Sequence, residues 1–338
     1  MTLPTGSASV SHTSPAANGR MRLFLTADCN LACFYCHNEG QPKSVSSLMS
    51  DEIVNSVEAL LKTSEIDKLI LSGGEPLLHS GVVEYVARLS PYVRRTSLIT
   101  NGLLLTSRKV RELAEAGLSK VRLGVDSFDP TKPRPSRGRL NEPFSIEDRV
   151  RQTRDAGLDV ELNVVLTRFN QSEVPAFLEF ATSNALNIKF FEHLQVLPPL
   201  SGELINRMEP RPHVAEHWFM STLEATLGLR PEFAFTDQFA PATSAARIAG
   251  TEVRYCRYLC SYQRCWAPGT RIDPEGYVYT CMSNRGRDAI MIGAEAEVLR
   301  SAMISAARRG CNARRVNPHT GSASQGDIGR PAASMDLA

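Results

Sequence analysis

The sequence contains no apolar run approaching the roughly eighteen residues that a membrane-spanning helix needs. Its opening, MTLPTGSASVSHTSPAANGR, lacks the apolar stretch of a secretory signal. Being small and polar, it is expected to form a disordered lead over 1–20, and the closing NPHTGSASQGDIGRPAASMDLA is expected to form a similar tail over 317–338. Charge of one sign is also missing: 38 Lys and Arg face 36 Asp and Glu, a net +2. That balance excludes the strong basic footprint of a nucleic-acid binder. With neither signal nor span, the expected location is cytoplasmic. Cysteine is absent from the whole stretch 37–255, although the chain has 8 of them. Cys29, Cys33 and Cys36 lie near the front, and Cys256, Cys260, Cys265, Cys281 and Cys311 near the back. Disulfides are not expected in a reducing compartment, and structural thiols would scatter, so bunched cysteines point to metal ligation.

What is present is a repeating alternation of short apolar runs and amphipathic segments. Strands are expected at RLFLTA (22–27), KLILS (68–72), TSLIT (96–100), VRLGV (121–125), DVELNVVL (159–166) and IKFFE (188–192). Helices are expected at 50–63, 107–117, 145–157 and 172–182. Each opens on a serine suited to capping, and Gly117 and Gly157 suit a left-handed exit. Strand starts fall roughly 25–45 residues apart, the spacing of βα units with parallel strands. The expected fold is therefore α/β, a partial (β/α)6 TIM-like barrel over 21–225 with a small C-terminal domain over 226–316. Between them, the stretch after residue 226 reads as an irregular connector. In such a barrel the site lies at the carboxyl ends of the strands. There the motifs fall: CNLACFYC after the first strand, SGGEP after the second, TNG after the third and DS after the fourth.

CNLACFYC (29–36) places three thiols at spacings of four and three. Three thiolates cannot close a tetrahedral site. A zinc ion borrowing His37 is one alternative; an iron–sulfur cube with one open iron is the other. The pattern C-x3-C-x2-C, with an aromatic residue before the last cysteine, resembles the radical S-adenosylmethionine (SAM) superfamily. The resemblance implies that Cys29, Cys33 and Cys36 ligate a [4Fe–4S] cluster whose open iron is chelated by SAM. Reductive cleavage of SAM would then release a 5′-deoxyadenosyl radical that abstracts hydrogen from a substrate. In that family the segment matching Gly73, Gly74, Glu75 and Pro76 binds the SAM amino group, and paired glycines allow close backbone approach. Tyr35 is expected near the cluster and adenine. Thr100, Asn101, Asp126 and Ser127 are expected as ribose or substrate contacts, with turn or capping roles as the alternative.

The rear segment, CRYLCSYQRCWAPGTRIDPEGYVYTC (256–281), contains a stretch, RIDPEGYVY, that reads as a hairpin with a PEG turn. The segment resembles the auxiliary-cluster region of the molybdenum-cofactor GTP cyclases and of the twitch and SPASM enzymes. That implies a small C-terminal iron–sulfur domain with a second [4Fe–4S] cluster on Cys260, Cys265 and Cys281. Its fourth place is left to Cys256, Cys311 or the substrate, and a structural zinc site is the alternative.

From about 21 to 200 the chain is similar to the GTP cyclase subfamily, on RLFLTADCNLACFYC, SGGEPLL, LITNGLLL, AGLSKVRLGVDSFDP, AGLDVELNVVL and IKFFEHL. Arg22 matches an arginine that contacts GTP there. Three positions depart: Ile70 stands for an arginine, Gly124 for a serine contacting SAM, and Glu161 for a lysine contacting GTP. The arginine run after the auxiliary pair is reduced to Arg271, and the double-glycine tail is missing. Exchanging cations for neutral or acidic groups disfavours a triphosphate. The leading expectation is therefore a small polar substrate (nucleoside, sugar or aminocyclitol) in specialised or antibiotic biosynthesis, oxidised or rearranged with Glu161 as acceptor or base and Arg22 as a substrate contact. In that reading Glu161 has an ion pair as its alternative. The other expectations are a true GTP cyclase, a SPASM-type peptide-modifying enzyme, and a non-catalytic zinc module. The family implies a flavodoxin- or ferredoxin-type electron donor.

Overall fold

The computed structural model describes residues 19–33, 35–36, 48–128, 145–193, 216–228, 234–235, 243–256, 270–279 and 290–292. Six strands run in chain order: β1 (Arg20–Phe24), β2 (Lys68–Ser72), β3 (Arg95–Thr100), β4 (Lys120–Gly124), β5 (Asp159–Leu166) and β6 (Asn187–Glu192). Each pairs in parallel with the next. The crossovers carry α1 (Asp51–Thr63), α2 (Val82–Leu89), α3 (Ser107–Glu115), α4 (Ile146–Asp155) and α5 (Val174–Ser183), and α6 (Glu216–Leu227) follows β6. This is the partial (β/α)6 barrel expected from the strand spacing. The helices α2 and α6 were not foreseen.

The rear strands join the same sheet. They are β7 (Ala234–Phe235), β8 (Thr243–Ile248), β9 (Thr251–Cys256), β10 (Thr270–Ile272), β11 (Tyr277–Tyr279) and β12 (Ile290–Met291). β9 adds in parallel to β6 and β10 in parallel to β1, while β7–β8 and β11–β12 pair antiparallel beyond them. The connector expected after 226 is thus partly a hairpin of β8 and β9. Its alternation was hard to read because two alanines, poor strand formers, stand at the centre of the six-residue β8. Ala249 and Gly250 turn it with φ of 46° and 82°, the pair of left-handed residues that a tight hairpin requires. The PEG hairpin forms as expected, β10 pairing antiparallel with β11.

The caps differ in part from expectation. Ser145 accepts from Asp148 N at 3.1 Å, but α3 is capped by Thr106 rather than Ser107. Ser50 makes no side-chain cap, and Ser172 lies in a short 3-10 turn, leaving Glu173 at the start of α5. Gly117 and Gly157 take the left-handed exits.

Alternation along the strands divides the molecule into two environments. Met21, Leu23, Leu69, Leu71 and Leu98 face the helices and pack with Val54, Val57, Leu60 and Leu61 of α1. A second cluster joins Phe177, Phe190, Phe219 and Tyr255, with successive ring centroids 6.3, 5.0 and 4.7 Å apart. The opposite face of the sheet carries charges among its other residues, with Arg22, Arg122, Glu161, Lys189 and Arg254 on facing registers. Barrel interiors are ordinarily filled by branched apolar side chains, so this polarity sets the inner face apart.

Candidate functional site

The loops at the carboxyl ends of β1 to β5 are tied to one another by side chains. Gly74 N donates to Thr26 O at 2.8 Å and Glu75 N to Asp28 O at 2.7 Å, which clamps the β2 loop to the base of the cysteine loop. A Cβ on Gly74 would lie 2.0 Å from Asp28 O, and one on Gly73, where φ is 141°, would lie 2.4 Å from Thr26 O. Only glycine permits this contact. The close approach inferred from the paired glycines is therefore made, first of all, by the chain's own backbone.

Glu75 is buried and carries the clamp onward. Its carboxylate accepts from Thr100 Oγ1 at 2.7 Å, Asn101 N at 2.8 Å and Leu77 N at 3.1 Å. Pro76 opens the short 3-10 turn that follows. Asn101 Nδ2 returns to the cysteine loop, donating to Asn30 Oδ1 at 2.8 Å and approaching Cys29 Sγ at 3.9 Å. Tyr35 OH donates to Asp126 at the end of β4. Asn170 Nδ2 donates to Asp126 O at 3.1 Å, and Ser127 Oγ donates to the buried Glu173 at 2.8 Å. Tyr35, Gly73, Gly74, Glu75, Pro76, Thr100, Asn101, Asp126 and Ser127, singled out in the sequence, thus form one connected rim. Asn30, Asn170 and Glu173, which complete it, were missed. Glu173 carried a readable signal, a carboxylate at the N-terminus of a helix.

Cys29, Cys33 and Cys36 share this rim, Cys36 N donating to Cys33 O at 3.0 Å, and none of them is in a disulfide. Among the described residues no three Cys, His, Asp or Glu side chains converge on one ion position. Three cysteines on one loop are by their chemistry a donor set suited to the thiolate ligation of a four-iron cube with one iron left open. Cys256 ends β9 and is buried. His37, Cys260, Cys265, Cys281 and Cys311 lie outside the described residues.

Deeper in the barrel the registers bring charges together. Arg122 lies opposite Glu161, Lys189 opposite Arg254, and Arg22 opposite both Ile70 and Arg271. Glu161 Oε1 is 3.2 Å from Arg122 Nε and 3.7 Å from Lys189 Nζ. Burial pushes the Glu161 carboxyl up, but Lys189, Arg122, Lys120 and Arg254 outweigh it and hold the group below the ordinary carboxylate range. Burial also draws down Arg122 and Lys189, each partly restored by Glu161. Of the two alternatives for Glu161 the geometry shows the ion pair, and a low carboxyl pKa makes a weak base at neutral pH. Arg122, Lys189 and Arg254 were not singled out. Their signal was a cation in mid-strand between apolar neighbours, in VRLG, IKFF and EVRYC.

The Radical SAM superfamily matches residues 23–181. A probable GTP 3′,8-cyclase of Methanococcus maripaludis (strain C6) is 26% identical over 265 residues, covering 77% of this chain and 84% of that protein. The GTP 3′,8-cyclase of Chlorobaculum tepidum is 35% identical over 177 residues, covering 51% of this chain and 52% of its own length. Among solved structures, Streptococcus suis SuiB bound to S-adenosylmethionine superposes with a TM-score of 0.58 at 12% identity, covering 83% of this chain and 65% of that one. The enzyme anSMEcpe with bound AdoMet and a peptide gives 0.56 at 16% identity, covering 84% and 79%. At such identities these two speak for the fold alone.

The relatives overturn one expectation. They are named for a cyclase acting on GTP, not for an enzyme of a nucleoside, sugar or aminocyclitol in antibiotic biosynthesis. Arg122, Lys189 and Arg254 add cations near Glu161 that offset those missing at positions 70 and 161. A [4Fe–4S] cluster and SAM come with the superfamily. The sequence match, the fold and the three-thiol loop together mark residues 23–181 as a radical SAM domain and the protein as an enzyme.

Proposed function

We infer that the protein is a radical SAM cyclase of the GTP 3′,8-cyclase type, its substrate a guanine nucleotide. The observation that carries this reading is the match to such cyclases along 77% of the chain. The charge of the inner face supports it: Arg20, Arg22 and Arg254 act on Arg122, and Lys120, Arg122, Lys189 and Arg254 act on Glu161. Cations in a buried, low-dielectric setting are suited to a polyphosphate, which takes guanidinium groups in paired hydrogen bonds.

In this reading Cys29, Cys33 and Cys36 hold the cluster, and Gly73 to Pro76 line the amino end of SAM. The bound pair supplies one-electron reduction of the sulfonium and a 5′-deoxyadenosyl radical. Glu75 fixes the β2 and β3 loops through its backbone donors, so the rim keeps its shape during chemistry. Tyr35 donates to Asp126 and ties the cysteine loop to the end of β4. Arg22, Arg122, Lys189, Arg254 and Arg271 would orient the nucleotide by its phosphates, leaving the ribose toward the rim. The 3′,8-cyclisation in the relatives' name joins C3′ of a ribose to C8 of the purine, so the hydrogen removed would be the one on C3′. Cys260, Cys265 and Cys281 would hold the second cluster, in a C-terminal region spanning 226–316. A flavodoxin- or ferredoxin-type protein of the cytoplasm would supply the electron.

The test is anaerobic incubation of reconstituted enzyme with GTP, SAM and a reductant. A GTP-derived product isomeric with a 3′,8-cyclised nucleotide, formed together with 5′-deoxyadenosine, is expected. Steady 5′-deoxyadenosine formation that leaves GTP unconsumed would contradict the substrate.

A further inference from the structure

Resting on the guanine-nucleotide reading, we propose that Glu161 is a specificity-determining residue: a built-in anion that occupies, between Arg122 and Lys189, part of the charge a phosphate group would otherwise neutralise. The carboxylate is only 3% exposed and lies within ion-pair distance of both cations. Arg254, opposite Lys189, also acts on Glu161 and is itself paired with Glu252. The face therefore remains net cationic, but its cations are already partly compensated. A nucleotide entering this cluster must compete with a carboxylate that cannot leave.

A second observation places a ligand here. One rung nearer the rim, at the register of Gly124 and Lys189, stands Asn163. Its Oδ1 is buried and, among the described residues, meets no hydrogen-bond donor. Buried acceptors are almost always satisfied. A donor such as a ribose hydroxyl or a purine N–H would satisfy this one. Opposite it stands Gly124, which adds no side chain to that rung.

The two features divide the work. Asn163 reads a donor on the neutral part of the ligand, and Glu161 sets how strongly the cations respond to its phosphates. Affinity should then rise only gently with phosphate number in the native protein, and more steeply once the carboxylate is neutralised.

Equilibrium dialysis with guanosine, GMP, GDP, GTP and inorganic tripolyphosphate tests this on native protein, Glu161→Gln and Glu161→Asp, all reconstituted anaerobically. Glu161→Gln is expected to tighten GTP and tripolyphosphate by about tenfold, with little change for guanosine. Glu161→Asp, which keeps the charge and the ionic balance of the fold but withdraws the carboxylate, should give a smaller gain with the same ranking of ligands, largest for GTP and tripolyphosphate and negligible for guanosine. A uniform change for all ligands, guanosine included, would mark Glu161 as structural and overturn the proposal. If tripolyphosphate tightens in the variants while no guanine nucleotide binds any of the proteins, Glu161 stands as proposed and the guanine reading fails.

Discussion

Gly74 has no spare space. A methyl group there would meet Asp28 O at 2.0 Å, and that atom belongs to the backbone and cannot swing aside. Gly74→Ala should therefore cost about 1–3 kcal/mol of stability, read as a lower urea midpoint, and should loosen the cysteine loop. An unchanged midpoint would mean that the two loops are not clamped. Glu161 shows the opposite case, a side chain held by charge rather than by shape. Because its folded pKa lies below the ordinary value, its ionised form stabilises the fold at pH values above the usual carboxylate range. That contribution drains away as the pH falls through the folded value. Glu161→Gln should cost about 3–5 kcal/mol at neutral pH, since two buried cations lose their partner. The gap between variant and native protein should close toward acid. A gap that stays constant with pH would deny that the ion pair is its cause.

At the scale of elements, the rim works as a chain of loops rather than as separate turns. Glu75 accepts from donors on the β2 and β3 loops, Asn101 returns to Asn30, and Tyr35 reaches Asp126. Glu75→Gln keeps the shape but turns an acceptor-only group into one that must also place two N–H donors. It should cost roughly 1–3 kcal/mol and reduce cluster retention on gel filtration. Full retention of iron by that variant would show that the cysteine loop holds itself. This scale also shows what the sequence disclosed. Six strands and four of the helices could be read from their periodicity, because apolar spacing is local information. The pairing of Arg122 with Glu161, or of Lys189 with Arg254, could not, because register is set by the packing of whole strands. For the same reason the exchange at 161 looked like a lost cation, when its neighbours on β4, β6 and β9 leave the face positive. The hairpin of β8 and β9 was hidden by its alanines. The motif residues of the rim were visible because their chemistry is unusual enough to notice singly.

For the whole molecule, the sheet gathers both ends of the chain. β10 extends it beyond β1 and β9 extends it beyond β6, so the segments that flank the rear cysteines begin and end on the core barrel. If those cysteines hold a second cluster, native protein should contain roughly eight irons per chain and Cys281→Ala about four, with the first cluster still able to cleave SAM. Iron content unchanged by Cys281→Ala would assign that cluster elsewhere. The central claim concerns the front loop and has the most direct test. Native protein and Cys33→Ala, both reconstituted anaerobically, are reduced in the presence of SAM, and 5′-deoxyadenosine is measured against time. Steady production by the native protein and none by the variant is the predicted result; equal production by both, or none by either despite a fully loaded cluster, would contradict it.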